Sequence, residues 1–168
     1  MNAPVHFGEL LKVAMPMVSD VAFLAHRMRQ DEIAQFMAVQ GLSHYDPDYA
    51  ARTFLSIPGE SYVLVDGNNL PVLLGGFQPI RPGVYEGWQV GTDEGWERHW
   101  RKICKVSRRI MDGFWARSEV HRVQVCAVAS REAKTFMWYE RGLGLQREAL
   151  LRSYCGNGED AIMFARTK

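Results

Sequence analysis

The sequence predicts one α+β domain. Three observations predict it. β-rich segments at 61–65, 71–77 and 84–90 follow one another, with turn chemistry between them. A long stripe with helical period comes next, at Trp96, Trp100, Ile103, Ser107, Ile110 and Phe114, in steps of four, three, four, three and four. The last third then alternates strand, helix and two strands. At 168 residues the chain has the length of a single domain. A chain of this size buries roughly 70% of its unfolded surface, so neither a disulfide nor a metal is needed to hold it.

Each element has a local cause. The apolar run 11–15 reads as a short strand closed by Pro16. Ser19 or Asp20 can cap the helix behind it, whose inward face is Val21, Leu24, Ala25 and Met28. Ile33, Phe36, Met37 and Gln40 continue a second helical piece. Asp46-Pro47-Asp48 places a proline and acids where a helix begins, and that helix stops before Pro58-Gly59. Asp66-Gly67-Asn68-Asn69 turns one hairpin and 79–83 turns the next. The segment 120–128 has no charge after Arg122, which predicts a central strand. Ser130 can cap a helix with Glu132 in its first turn, ended by Gly142-Leu143-Gly144. Segments 145–154 and 161–165 close the chain as two strands around Cys155-Gly156-Asn157-Gly158.

The net charge is +1, but it is segregated. Residues 1–95 carry five Lys/Arg against eleven Asp/Glu, and residues 96–152 carry thirteen against six. Six cations, Arg98, Arg101, Lys102, Lys105, Arg108 and Arg109, fall within twelve residues of the long helix, with no acid among them. Such a face can be an ordinary solvated surface. It can also meet nucleic-acid phosphates or an acidic protein.

Several chemistries are disfavoured. No nucleophile-elbow serine is present. His6, His26, His44, His99 and His121 are scattered without metal spacing. Cys104, Cys126 and Cys155 lie far apart, and Cys104 and Cys126 read as small core hydrophobes. No apolar stretch is long enough to span a membrane, and residues 1–8 do not read as a secretory signal, so the expected setting is a reducing cytoplasm.

The element order, together with Ala129-Ser130-Arg131-Glu132-Ala133 leading to Trp138-Tyr139-Glu140-Arg141-Gly142-Leu143-Gly144-Leu145, resembles the GNAT acetyltransferase superfamily. By element order the resemblance covers nearly the whole chain; by motif it covers about 126–148. It implies a mixed, twisted central sheet flanked by helices. It also implies acetyl-CoA bound where the strand ending at Val90 meets the long helix, with Val90, Gly91, Gly95 and Ser130 as contact positions. The family places a basic residue and Gly-x-Gly in that loop. This chain has Gly91-Thr92-Asp93-Glu94-Gly95-Trp96-Glu97, which keeps two glycines, adds three carboxylates and puts a tryptophan where a small residue is needed.

The resemblance also implies Glu86 as the base that takes a proton from an amine, and Tyr139 as the acid that returns one to the departing thiolate. Matching Leu143-Gly144-Leu145 to the family pattern selects Tyr139. Counting without a gap from Ala133 selects Trp138. The family asparagine correspondingly falls on Ser130 or Arg131.

Segment 88–93, followed by the basic helix and the weak late motif, is most similar to small GNAT-like proteins of short-tailed, T-odd-type bacteriophages. That similarity implies a non-catalytic virion or assembly protein, in the particle or the host cytoplasm, that touches other virion proteins and, through the basic helix, nucleic acid. The alternative is an acetyl-CoA-dependent N-acetyltransferase acting on a primary amine.

Overall fold

The structure, a computed structural model, describes residues 5–6, 12–131 and 133–168. In chain order the elements are β1 (Val5–His6), β2 (Lys12–Ala14), α1 (Val18–His26), α2 (Gln30–Gln40), α3 (Pro47–Ser56), β3 (Glu60–Val65), β4 (Pro71–Arg81), β5 (Val84–Gly91), α4 (Asp93–Trp115), β6 (Arg122–Val128), α5 (Ala133–Met137), one π-helical turn (Trp138–Gly142), β7 (Gln146–Leu151) and β8 (Ala161–Thr167). The strands form one sheet in the order β1-β2-β3-β4-β5-β6-β8-β7. Every described pairing is antiparallel except β5 with β6, which α4 connects by a crossover.

That parallel pairing is short. It runs through Val84↔Arg122, Tyr85↔Val123 and Glu86↔Gln124, and beyond Glu86 the two strands part. The wedge so formed is the main topographic feature of the sheet.

Strand alternation sends neighbours to opposite faces. Val63 and Leu74 pack with Val21, Leu24, Phe36 and Phe54 under α1, α2 and α3. Leu64 and Leu73 pack instead with Ile103 and Val106 of α4. Further along the sheet Phe77 stacks on Phe114 at 3.9 Å between ring centroids, beside Val123, Val125 and Phe164.

The sequence-derived elements are all found, with local differences. Leu11 and Glu132 lie outside the described residues. The cap position of α1 is Met17, not Ser19 or Asp20; Asp20 instead accepts the Met17 N–H at 2.9 Å. At α3 the cap is Asp46, whose carboxylate accepts from Asp48 N–H, as the Asp-Pro-Asp motif predicts. β4 continues through Pro79 to Arg81 rather than turning at 79, because a register shift there absorbs the missing proline N–H. The helix-period stripe of α4 is buried at Ile103, Ser107 and Phe114, but Trp100 is 53% exposed. Cys104 and Cys126 are half-buried rather than core, and all three cysteines are free.

Candidate functional site

The wedge between β5 and β6 opens into a cavity of about 230 Å³. Glu86 and Tyr139, far apart in sequence, both line it. Glu86 stands at the last paired position of β5. Burial raises its carboxyl pKa, against a hydrogen bond from Gln124 that lowers it. Tyr139 is buried, and its hydroxyl accepts a hydrogen bond from Arg131 Nη1 at 3.2 Å. Burial raises the Tyr139 pKa, and the Arg131 charge opposes that rise. Ser107 Oγ and Trp88 Nε1 belong to residues bordering the same cavity and are buried without a hydrogen-bond partner among the described residues.

The π turn explains the ambiguity of register in this region. A π turn accommodates one residue more than an α turn. A count from Ala133 and a count back from Leu143 therefore disagree by one. Tyr139 borders both this cavity and a second one of about 520 Å³, whereas Trp138 borders only the second. Likewise Arg131 lines both cavities. Ser130 is exposed, with its hydroxyl on Glu159 at 3.2 Å, and it borders neither cavity.

Residues on α2 complete the site, and the helical stripe in the sequence does not single them out. Asp31 pairs with Arg131, accepting from Nε at 3.1 Å and from a second guanidinium nitrogen. Burial works to raise the Asp31 pKa, but the Arg131 hydrogen bond and charge hold it below the ordinary value. Glu32 is buried, and its Oε2 accepts the Gly91 N–H at 2.7 Å. Burial pushes the Glu32 pKa up to about 7, against the Gly91 hydrogen bond and the Arg29 charge. One turn further on, Gln35 accepts from Val128 N–H at 2.8 Å and donates to the Cys126 carbonyl at 3.2 Å. In the sequence Asp31, Glu32 and Gln35 read as ordinary polar residues of a helix, and nothing local marks them as a buried set.

The junction of β5 and α4, where the resemblance implies acetyl-CoA, does not fit the phosphate groups of that cofactor. A phosphate site needs free backbone N–H groups and no competing anion. Gly91 N–H is taken by Glu32, Thr92 N–H by the Val72 carbonyl, and Gly95 N–H by Thr92 Oγ1 at 2.9 Å. No loop intervenes, because Thr92 alone separates β5 from α4 and caps the helix itself. Asp93 and Glu94 then occupy the positive end of α4, with Asp93 also held by Arg29 at 3.3 Å. The two remaining glycines serve packing: a Cβ on Gly91 would lie 2.7 Å from Trp96 Nε1, and one on Gly95 would lie 2.7 Å from Val72 Cβ. Val90 is buried in the core.

The basic helix presents its cations in an arc of about 120° on the face opposite the buried stripe. Arg101, Lys105 and Arg109 are exposed and Lys102 is half-buried. Arg98 pairs with Glu94 at 2.9 Å, and Arg101 lies 5.2 Å from the Trp100 ring. Arg108 is committed internally, since it bonds Asp112, which Arg166 also reaches. Among the described residues there is no cluster of three metal-ligating side chains, and no helix is long and apolar enough to cross a membrane.

No protein-family model matches the chain, and no curated protein matches it by sequence. Solved structures do match. A GNAT-family acetyltransferase from Bacillus anthracis superposes with a TM-score of 0.73 at 12% identity, covering 98% of each chain. The ribosomal-protein-S5-alanine acetyltransferase of Vibrio fischeri gives 0.68 at 14% identity, over 99% of this chain and 97% of that one. The spermidine N-acetyltransferase of Vibrio cholerae, solved with CoA and spermine, gives 0.69 at 13% identity, over 94% and 95%. The chain has the GNAT acetyltransferase fold, a mixed sheet flanked by helices, as the element order implied.

Proposed function

We propose that this chain uses the GNAT fold for contact rather than for acetyl transfer, as a bacteriophage protein of the virion or of its assembly. The observation that carries the non-catalytic reading is the occupied phosphate position, where Glu32 holds the Gly91 N–H and two acids follow it. The phage setting rests on the resemblance of segment 88–93 and the basic helix that follows. The contact surface is the outer face of α4, at Arg98, Arg101, Lys102, Lys105 and Arg109, and its partner is an acidic virion-protein surface or nucleic-acid phosphate. Calorimetry with acetyl-CoA, with desulfo-CoA as competitor, tests the reading. Folded protein should give no binding heat at millimolar ligand, and micromolar affinity would overturn it.

A second reading, an N-acetyltransferase acting on a primary amine, is favoured by one observation. Glu86 and Tyr139 border one cavity, and burial raises the pKa of both. Such a pair suits a base and an acid. The acetyltransferase neighbours, one of them bound to CoA, support it at the level of fold.

A further inference from the structure

We propose that α2 is an internal plug of the wedge, in which Glu32 and Gln35 occupy main-chain groups of β5 and β6 and compete for them with any extended, amide-bearing chain that enters. The proposal goes beyond the contact reading; it shares the Glu32–Gly91 bond with that reading and stands separately on the Gln35 bonds to β6.

Past Glu86 and Gln124 each strand turns an edge toward a neighbour that is no longer there. Main-chain groups on such an edge need partners when buried. α2 and the residue before it supply four. On β5, Gly91 donates its N–H to Glu32 Oε2, and its carbonyl accepts from Arg29 N–H at 3.1 Å. On β6, Gln35 Nε2 donates to the Cys126 carbonyl, and Gln35 Oε1 accepts from Val128 N–H.

The β6 pair has a specific geometry. A residue opposite Ala127 on a parallel neighbouring strand would donate to the carbonyl of 126 and accept from the N–H of 128. The Gln35 side-chain amide does both, so one side chain stands in for a strand residue. Met28 adds a bridge to Thr92, so the chain crosses the mouth of the wedge from 28 to 35. Asp31, on the same helix, is tied to Arg131 on the far side. The plug is thus anchored at β5, at β6 and at the segment after β6. An incoming chain of secondary amides seeks the same edge groups and meets them already bonded.

The test uses pantetheine, an extended diamide without phosphate, on the full chain and on Gln35→Met, which keeps the side-chain volume while removing both bonds. Amide hydrogen exchange should be about tenfold faster at Val128 in Gln35→Met, with amides of β3 and β4 unchanged, as for one lost hydrogen bond. Pantetheine, followed by NMR titration, should bind Gln35→Met about fivefold or more tighter than the native chain, the same bond now being open to the ligand. Equal pantetheine affinity in the two proteins overturns the plug, and so does a Val128 amide that exchanges at the native rate in the variant. If Gln35→Met fails to fold, Gln35→Asn, whose shorter amide falls short of β6, takes its place with the same two readouts. Acetyl-CoA binding by the native chain would sink the contact reading and leave the pantetheine comparison to decide the plug.

Discussion

Glu32 and Gly91, on α2 and at the end of β5, are joined by a 2.7 Å hydrogen bond from the Gly91 N–H to a buried carboxylate. A carboxyl oxygen at that point takes, from within the chain, an N–H that a phosphate-binding loop would keep open. The bond has two consequences. It takes up a main-chain N–H at the junction where the resemblance implies acetyl-CoA, and it buries an ionisable group whose charge must be carried or neutralised.

The second consequence predicts a stability slope. The Glu32 pKa is about 7 in the folded chain, against an ordinary 4.5. The folded state therefore retains a proton that the unfolded chain releases above 4.5. The stability from this group is fully present below pH 4.5 and is lost as pH rises to 7. The loss is about 3 kcal/mol, since each tenfold difference in proton affinity between the two states is worth roughly 1.4 kcal/mol. Glu32→Gln keeps an oxygen for the Gly91 N–H and should reduce the slope, leaving the part of the same sign that Glu86, also raised by burial, contributes. Urea unfolding at pH 5 and pH 8 measures it, and an equal slope in Glu32→Gln would refute the assignment. The acids whose pKa is lowered, Asp31, Glu60, Asp112 and Glu148, lose their contributions as pH falls below the ordinary carboxylate range, outside this window.

The Arg131–Asp31 pair should behave as a half-buried ion pair. The Arg131 side chain is 9% exposed and also donates to Tyr139 Oη. Arg131→Met leaves Asp31 without its main partner and should cost about 3 kcal/mol, the range for breaking a buried pair. Asp31→Asn in the same chain should recover part of that cost. A double-mutant cycle by denaturant unfolding reads the coupling, and additive single effects would show that the pair is not coupled.

What can be read in the sequence follows the range of each interaction. The α4 stripe and the Asp46-Pro47-Asp48 cap are local, and both lie where the pattern puts them, apart from Trp100. Trp100 departs because it borders the second cavity rather than the sheet. Glu32 gives no local signal, since it sits next to Ile33 in a helix and its partner is 59 residues away. The fold is legible through element order, whereas the plug depends on where two strands part, and no residue pattern marks that point. The sequence leaves Trp138 and Tyr139 as alternatives because one inserted residue in a π turn changes the count without changing the composition.

Binding through the outer face of α4 should be electrostatic. Arg101, Lys102 and Lys105 carry it most directly, since Arg108 is held by Asp112. Replacing those three with glutamine should weaken association with a polyanion such as single-stranded DNA and lower the slope of log affinity against log salt by about 2 to 3. Fluorescence anisotropy across a salt series measures both. An unchanged slope would show that this face is solvated rather than bound.

The two glycines of the β5–α4 junction distinguish a ligand loop from a packed corner. In a ligand loop, glycine is kept so that the ligand can approach, and Gly→Ala leaves the free protein stable. Here the space above Gly91 is filled by the Trp96 indole, with Val72 O 3.1 Å from the position of an added Cβ. Gly91→Ala should therefore destabilise the chain by about 2 kcal/mol, as overpacking does. Trp96→Ala in the same chain should relieve much of the Gly91→Ala penalty, because it removes the nearer contact. Gly95 differs: its added Cβ meets Val72 Cβ, which belongs to the sheet and cannot swing away. Alanine is the better helix former by about 1 kcal/mol, so a net loss of stability in Gly95→Ala would mean that the clash outweighs propensity. Trp96→Ala should leave the Gly95→Ala loss in place. Thermal unfolding of the three single variants and the two doubles separates these cases. Native stability in both glycine variants would mean that the corner is open, and the phosphate position would then have to be considered again as a binding site.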